Sequence, residues 1–174
     1  MKTFIIAAVS ADGFIAKDSN HPAFWTSKED KKRFVELTRQ AGIVIMGSQT
    51  YKTLPRALKE RTNIVYSRTH QTLEGALVTQ DDPHTLLAKL EAQGATEAAI
   101  CGGSQIYSMF LKAQVVQKIY LTIEPLLFGK GISLFNEACN IHLELKSSET
   151  TPTGTLLLEY NVRYTGAPEV KHLP

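Results

Sequence analysis

Thr3-Phe4-Ile5-Ile6-Ala7-Ala8-Val9 is an apolar run with no alternation, and shorter runs of that kind recur at Ile43–Met46, Asn63–Tyr66, Ala76–Val78, Ala98–Cys101 and Lys118–Ile123. Strands buried on both faces, as in a parallel sheet, read this way. Between the runs the period lengthens. Phe34, Leu37 and Ala41 fall on one side of a helix, and Ile106, Tyr107, Phe110 and Leu111 on one side of another. Asp82-Pro83 opens a third helix through Leu86, Leu87 and Leu90, with Gly94 as its stop, and a short helical stretch is expected around Thr50–Leu54. Ser10–Phe24, rich in turn residues, reads as a loop. From His142 the pattern alternates, and Pro152-Thr153-Gly154 turns between two strands that end near Tyr164. Strands and helices in this order predict an α/β fold: a mostly parallel central sheet with an antiparallel C-terminal hairpin, flanked by about four helices. One domain is expected over residues 1–164, with a polar tail at 165–174.

Composition narrows the function classes. The chain has 174 residues, 43% hydrophobic and 21% charged, enough for one substantial core. A net charge of +2 gives no electrostatic case for nucleic acid, and the run Lys28, Lys31, Lys32, Arg33 reads as a solvated helix face. Cys101 and Cys139 and five scattered histidines offer no metal-ligand spacing, so no metal is expected. No apolar run approaches the roughly 18 residues of a membrane span, and no signal peptide is legible. A soluble cytoplasmic protein with a small-molecule partner, monomer or homodimer, is the expectation.

The stretch Trp25–Thr38 carries the clearest candidate chemistry. A helix phased on Phe34 places Asp30 about 40° away, on the apolar side. A carboxylate aimed there costs free energy unless it is protonated, paired or hydrogen-bonded. It marks either a binding site or a helix cap. Ser27-x-x-Asp30 has the spacing of a capping box; Thr26-x-x-Glu29 has it one residue earlier and would free Asp30. On local residues alone both readings stand.

Two strand ends carry glycine turns into helices: Met46-Gly47-Ser48-Gln49-Thr50 and Cys101-Gly102-Gly103-Ser104-Gln105. Each is a tight turn or a place where backbone N–H groups meet a phosphate, and neither is a G-x-G-x-x-G or P-loop sequence. Two in one small domain suit the two ends of a dinucleotide. Ser67-Arg68 ends another strand, where a guanidinium beside a hydroxyl suits a ribose 2′-phosphate and so NADPH over NADH. Equally, Arg68 fits a surface arginine, and Arg56 and Arg61 fit either an anionic substrate tail or solvent.

Taken in order, these residues resemble the dihydrofolate reductase family over about residues 3–164. Trp25, Asp30, Phe34 and Thr38 resemble its substrate helix. Val44-Ile45-Met46-Gly47-x-x-Thr50-Tyr51, Arg61-x-Asn63-Ile64-Val65-x-Ser67-Arg68, Gly102-Gly103-x-x-Ile106-Tyr107 and Ile119-Tyr120-Leu121-Thr122 resemble its next four motifs. The resemblance implies a three-layer fold and NADPH-dependent reduction of 7,8-dihydrofolate to 5,6,7,8-tetrahydrofolate, with sensitivity to antifolate inhibitors. It implies that Asp30 pairs with the 2-amino group and ring N–H of the pterin, supported by Thr122 and beside Trp25. Ala8, Phe34, Leu54, Leu58 and Tyr107 would line the substrate pocket, and Arg61 would hold the glutamate tail. Ala8, Ile15, Ala16, Gly47, Ser48, Gln49, Thr50, Ser67, Arg68, Gly102, Gly103, Ser104, Gln105 and Ile106 would contact NADPH, under a mobile Ser10–Phe24 loop.

Several positions depart from that family. Ser48 stands where an arginine is common, Lys31 where an apolar residue meets the substrate, and Phe24 where a proline precedes the tryptophan. Ser10-Ala11-Asp12-Gly13-Phe14-Ile15-Ala16 and Pro125-Leu126-x-x-Gly129-Lys130-Gly131-x-x-Leu134-Phe135 resemble instead the reductase domain of riboflavin biosynthesis. That likeness implies the alternative activity, NADPH-dependent reduction of a ribosylaminopyrimidine phosphate. The two readings part at Asp30, since the riboflavin-type reductase lacks the Trp-x4-Asp-x3-Phe arrangement.

Overall fold

The structure is a computed structural model that describes residues 1–69 and 72–164. The expected tail at 165–174, His70 and His172 lie outside the described residues. In chain order the elements are β1 (Lys2–Ser10), β2 (Phe14–Ala16), α1 (Lys28–Ala41), β3 (Ile43–Gly47), α2 (Ser48–Lys52), β4 (Thr62–Tyr66) and β5 (Leu77–Thr79). Then follow α3 (Pro83–Ala92), β6 (Glu97–Ile100), α4 (Ser104–Lys112), β7 (Lys118–Glu124), β8 (Ile132–Ser133), β9 (His142–Thr150) and β10 (Leu156–Arg163).

Eight strands form one sheet in the order β5-β4-β3-β6-β1-β7-β10-β9. The pairs from β5 to β7 are parallel, and β10 runs antiparallel to both β7 and β9. The apolar runs occupy its centre because both of their faces are covered. Ile5 and Ala7 of β1 face a cluster with Leu86, Leu87 and Leu90 of α3 and Ile106, Phe110 and Leu111 of α4. Phe4 and Ile6, one residue out of phase, face the other layer with Ala41, Phe34 and Leu37 of α1. The result is three layers, helix on sheet on helix, with the antiparallel hairpin at one edge.

Local chemistry sets the helix ends. Ser27 caps α1, its Oγ accepting from the Asp30 amide at 3.2 Å. Gly42 closes the helix at φ +73°, the left-handed conformation in which its N–H reaches the carbonyls of Thr38 and Arg39. Asp82 caps α3 by accepting from the amides of His84 and Thr85 at 3.0 and 3.1 Å.

Two expectations change. The Ser10–Phe24 loop contains a strand: β2 pairs antiparallel with β8, far away in the chain. The turn before it is tied down as well, since the Asp12 carboxylate accepts from the Ser10 hydroxyl and from the amides of Phe128 and Gly129 at 2.6, 3.1 and 2.6 Å. A strand of three residues is too short to show alternation, and its partner is remote. The basic run on α1 is likewise only partly a solvated face. Lys28 and Lys32 are exposed, but the Arg33 guanidinium lies 5.1 Å from the Tyr120 ring centre and donates to the Leu158 carbonyl at 2.8 Å. Lys31 donates to the carbonyls of Phe24 and Thr26 at 3.2 and 2.8 Å, so its ammonium closes the short 3-10 turn Ala23–Trp25. Among the described residues no helix is long and apolar enough to cross a membrane, and no cluster of His, Cys, Asp and Glu could hold a metal.

Phe110 is wholly buried between α4 and the sheet. Phe110→Ala should cost about 3–5 kcal/mol of stability. In urea titration this reads as a lower midpoint at an unchanged slope.

Candidate active site

In an open α/β sheet, strand ends and helix starts meet along one edge, where ligands bind. Here the carboxyl ends of β1, β3, β4 and β6 border a cleft of about 1210 Å³. Its wall joins Trp25, Asp30 and Phe34 with Ala8 of β1 and Ile15 and Ala16 of β2. Gly47, Ser48, Gln49 and Thr50 line it after β3, and Ser67 and Arg68 after β4. Gly102, Gly103, Ser104, Gln105, Ile106 and Tyr107 complete the expected residues in the wall.

Four expected residues lie elsewhere. Leu54 and Leu58 are outside that wall and pack, with the cleft residue Phe34, on the apolar cluster under α1. Arg61 sits on that flank too, donating from Nη1 to the Thr38 hydroxyl and from Nε to the Lys59 carbonyl, both at 2.8 Å. Thr122 is 2% exposed, below the cleft floor on β7, paired with Ala8 of β1.

Asp30 is half-buried at the start of α1; the Thr122 hydroxyl hydrogen-bonds its carboxylate, and the Thr26 hydroxyl, which donates to the Ala23 carbonyl at 3.3 Å, lies close enough to favour its charged form. Burial raises its pKa above the usual carboxylate range, the two hydroxyls oppose that rise, and the nearby negative charge of Glu124 adds to it. The capping question is thereby answered: Ser27 caps through its hydroxyl, and the Asp30 side chain is left for the cleft.

Glu124, outside the cleft wall but bonded to the residue that caps the Asp30 helix, is the residue that sequence reading missed. It is 3% exposed and accepts from the Ser27 amide at 2.7 Å and from the Thr155 hydroxyl at 2.8 Å. Strand alternation was the available signal, because a residue two after Thr122 shares its face.

The two glycine turns, far apart in sequence, are bonded to one another: the Gly47 amide donates to the Gly102 carbonyl at 2.7 Å. Gly102 has φ +109°, and a Cβ there would come within 3.1 Å of the Tyr107 hydroxyl, so only glycine fits. Behind the turn, α4 starts without a side-chain cap, and the buried Ser104 hydroxyl has no partner. The Tyr66 hydroxyl and the Trp25 indole N–H are also buried without partners, and both residues line the cleft. Buried polar atoms without partners are rare, and three around one cleft mark where a polar ligand would complete them. Tyr107 donates to the Ile6 carbonyl at 2.8 Å and stays neutral, its pKa raised well above 10.0 by burial. Burial also pushes the Cys101 thiol up to about 12, so it is no thiolate nucleophile.

The segment between β2 and α1 crosses toward α2. Gln49 donates from Nε2 to the Ser19 carbonyl and to the Asn20 side chain, both at 3.0 Å. The amide expected on the cofactor thus holds the loop. Trp25 meets Phe128 edge-on, ring centres 5.0 Å apart, which closes that end.

The sequence model of a family described as dihydrofolate reductase matches residues 2–144. Dihydrofolate reductase type 8 of Escherichia coli is 33% identical over 132 residues, which cover 71% of this chain and 74% of that protein. The uncharacterized protein YwjB of Bacillus subtilis is 26% identical over 159 residues, covering 85% and 91%. Among solved structures, a pyrimidine reductase-like protein from Corynebacterium diphtheriae superposes with a TM-score of 0.73 at 16% identity, covering 94% of this chain and 92% of that one. That likeness concerns the fold. Together with the match over residues 2–144, a cleft walled by Asp30 and two adjoining glycine turns places this chain in the dihydrofolate reductase family.

Proposed function

We propose that this member of an oxidoreductase family reduces 7,8-dihydrofolate to 5,6,7,8-tetrahydrofolate with NADPH. A hydride is added at C6 of the pterin and a proton at N5, and NADP⁺ is released. The observation that carries the reading is Asp30, a carboxylate in the cleft wall held by the Thr122 hydroxyl. The 2-amino group and adjacent ring N–H of a pterin are two parallel donors, and a carboxylate meets them with two oxygens. The aromatic side chains of Phe34 and Trp25 in the same wall would orient the ring.

The residues present fit a dinucleotide. The α4 N-terminus and the Ser104 hydroxyl would hold its diphosphate, Tyr66 and Ser67 a ribose, and Arg68 the 2′-phosphate, while Ala8, Ile15 and Ala16 would face the nicotinamide. When bound, NADPH supplies the hydride. Asp30 is half-buried and anchors the ring through the amino edge, so a water delivers the proton to N5. Antifolates with a diaminopyrimidine ring would compete at Asp30.

A second reading, reduction of a ribosylaminopyrimidine phosphate, is favoured by one observation. Leu54, Leu58 and Arg61, the residues expected along a benzoyl-glutamate tail, lie outside the cleft wall. Loss of nicotinamide absorbance with dihydrofolate, blocked by methotrexate, supports the first reading. Turnover with the pyrimidine alone would replace it with the second.

Asp30→Asn should lower kcat/KM for dihydrofolate by roughly a hundredfold or more while leaving the NADPH dissociation constant near its starting value. A residue whose pKa is raised on folding destabilises the native state once ionised. The penalty is missing below the unfolded value of about 3.9 and complete above the folded one. Thermal melts should therefore show Asp30→Asn more stable than the parent at neutral pH, with the gap closing near pH 4. A helix-capping Asp30 would give the opposite order. Arg68→Ala should raise KM for NADPH by about 10- to 100-fold and leave KM for NADH nearly unchanged, as steady-state kinetics with each cofactor would show.

A further inference from the structure

Glu124 takes no part in the chemistry above, yet it is the most deeply buried carboxylate among the described residues, 3% exposed at the end of β7. No lysine, arginine or histidine pairs with it among the described residues. A carboxylate so buried is tolerated only with its oxygens satisfied. Oε1 accepts from the backbone amide of Ser27 and Oε2 from the Thr155 hydroxyl. Thr155 in turn is built into the β9–β10 turn, its amide donating to the Thr151 hydroxyl at 3.1 Å. One side chain thus joins β7, the hairpin and the residue that caps α1.

The link runs on to the cleft. Ser27, held by Glu124, caps the helix by accepting from the amide of Asp30. Thr122, two residues before Glu124 and on the same strand face, holds the Asp30 carboxylate. The first turn of α1 is therefore gripped twice by β7, once at its backbone and once at the acid.

We propose that Glu124 is a positioning residue for Asp30, fixing the first helical turn against the sheet through Ser27 and bringing a second carboxylate near the acid in the cleft. The groups that face Asp30 are few. The hydroxyls of Thr122 and Thr26 and the Arg33 guanidinium on α1 favour the charged form, Glu124 on β7 opposes it, and Tyr107 on α4 is neutral. Glu124 is the one negative charge among them.

The proposal rests on reading Asp30 as the substrate's anchor, but its test needs no substrate. The full chain, with ¹³C-labelled aspartate, is titrated by NMR, the Asp30 carboxyl being assigned from its loss in Asp30→Asn. In Glu124→Gln the amide oxygen still accepts from Ser27 while the charge is gone. The Asp30 midpoint should fall measurably, with hydrogen exchange at the Ser27 amide near the parent rate. In Glu124→Ala that exchange should accelerate about tenfold or more. An unmoved Asp30 midpoint in Glu124→Gln, or unaltered Ser27 exchange in a folded Glu124→Ala, overturns the proposal. If Glu124→Ala fails to fold, the Glu124→Gln titration decides alone. Missing dihydrofolate turnover with the expected titration shift would refute only the substrate assignment.

Discussion

The contact between the first turn of α1 and the end of β7 is the constraint on which the candidate site depends. Thr122 hydrogen-bonds the Asp30 carboxylate, and Glu124 accepts the Ser27 amide at the same helix start. Without these two bonds, an acid whose helix is anchored mainly by Phe34, Leu37 and Ala41 would be free to roll toward solvent. Burial there is costly for a charge, and the raised pKa of Asp30 expresses that cost. Ligands that present paired donors to a carboxylate recover it. A half-buried acid held in place is thus a local strain on stability.

The opposite side of the cleft follows from strand order. Because β3 and β6 are neighbours in the sheet, the turns that leave them lie side by side, with Gly47 donating to Gly102. The backbone there is compact enough that a Cβ on Gly103 would come within 3.2 Å of the Thr50 hydroxyl. What these turns leave open is a helix start without a side-chain cap, with the Ser104 hydroxyl beside it. The loop above is no free flap. Asp12 ties its root to Phe128 and Gly129, β2 pairs with β8, and Gln49 holds Ser19 and Asn20. Any opening must therefore break a defined set of bonds around residues 12–20.

Legibility differed by the range of the interaction. The apolar runs of β1, β3, β4 and β6, the helix opened by Asp82-Pro83 and the hairpin around Pro152-Thr153-Gly154 are local patterns, and the structure has them within a residue or two. The strand β2 was illegible because three residues carry no period and its partner lies past residue 130. The α1 basic run misled because charge alone does not say which cation has an aromatic ring and a carbonyl within reach; Arg33 has Tyr120 and Leu158. Leu54 and Leu58, placed by motif beside a substrate, instead fill the layer under α1, where apolar side chains gain most.

By itself the sequence determined the fold class, the helix that bears Asp30, and the two glycine turns, since periodicity, caps and turn residues act over a few positions. Its local spacing alone left Asp30 between cap and ligand-binding acid, because Ser27 and Thr26 offer the same spacing, and only the resemblance in the ordered motifs favoured the second. Tertiary structure decided where the Ser27 amide goes, to Glu124, along with the meeting of Gly47 with Gly102 and the loop held by Gln49. Each of these joins residues from different elements, with Ser27 and Glu124 ninety-seven positions apart. Hydrogen bonds of that kind are specified by the packing of layers against one sheet, and no local pattern encodes them.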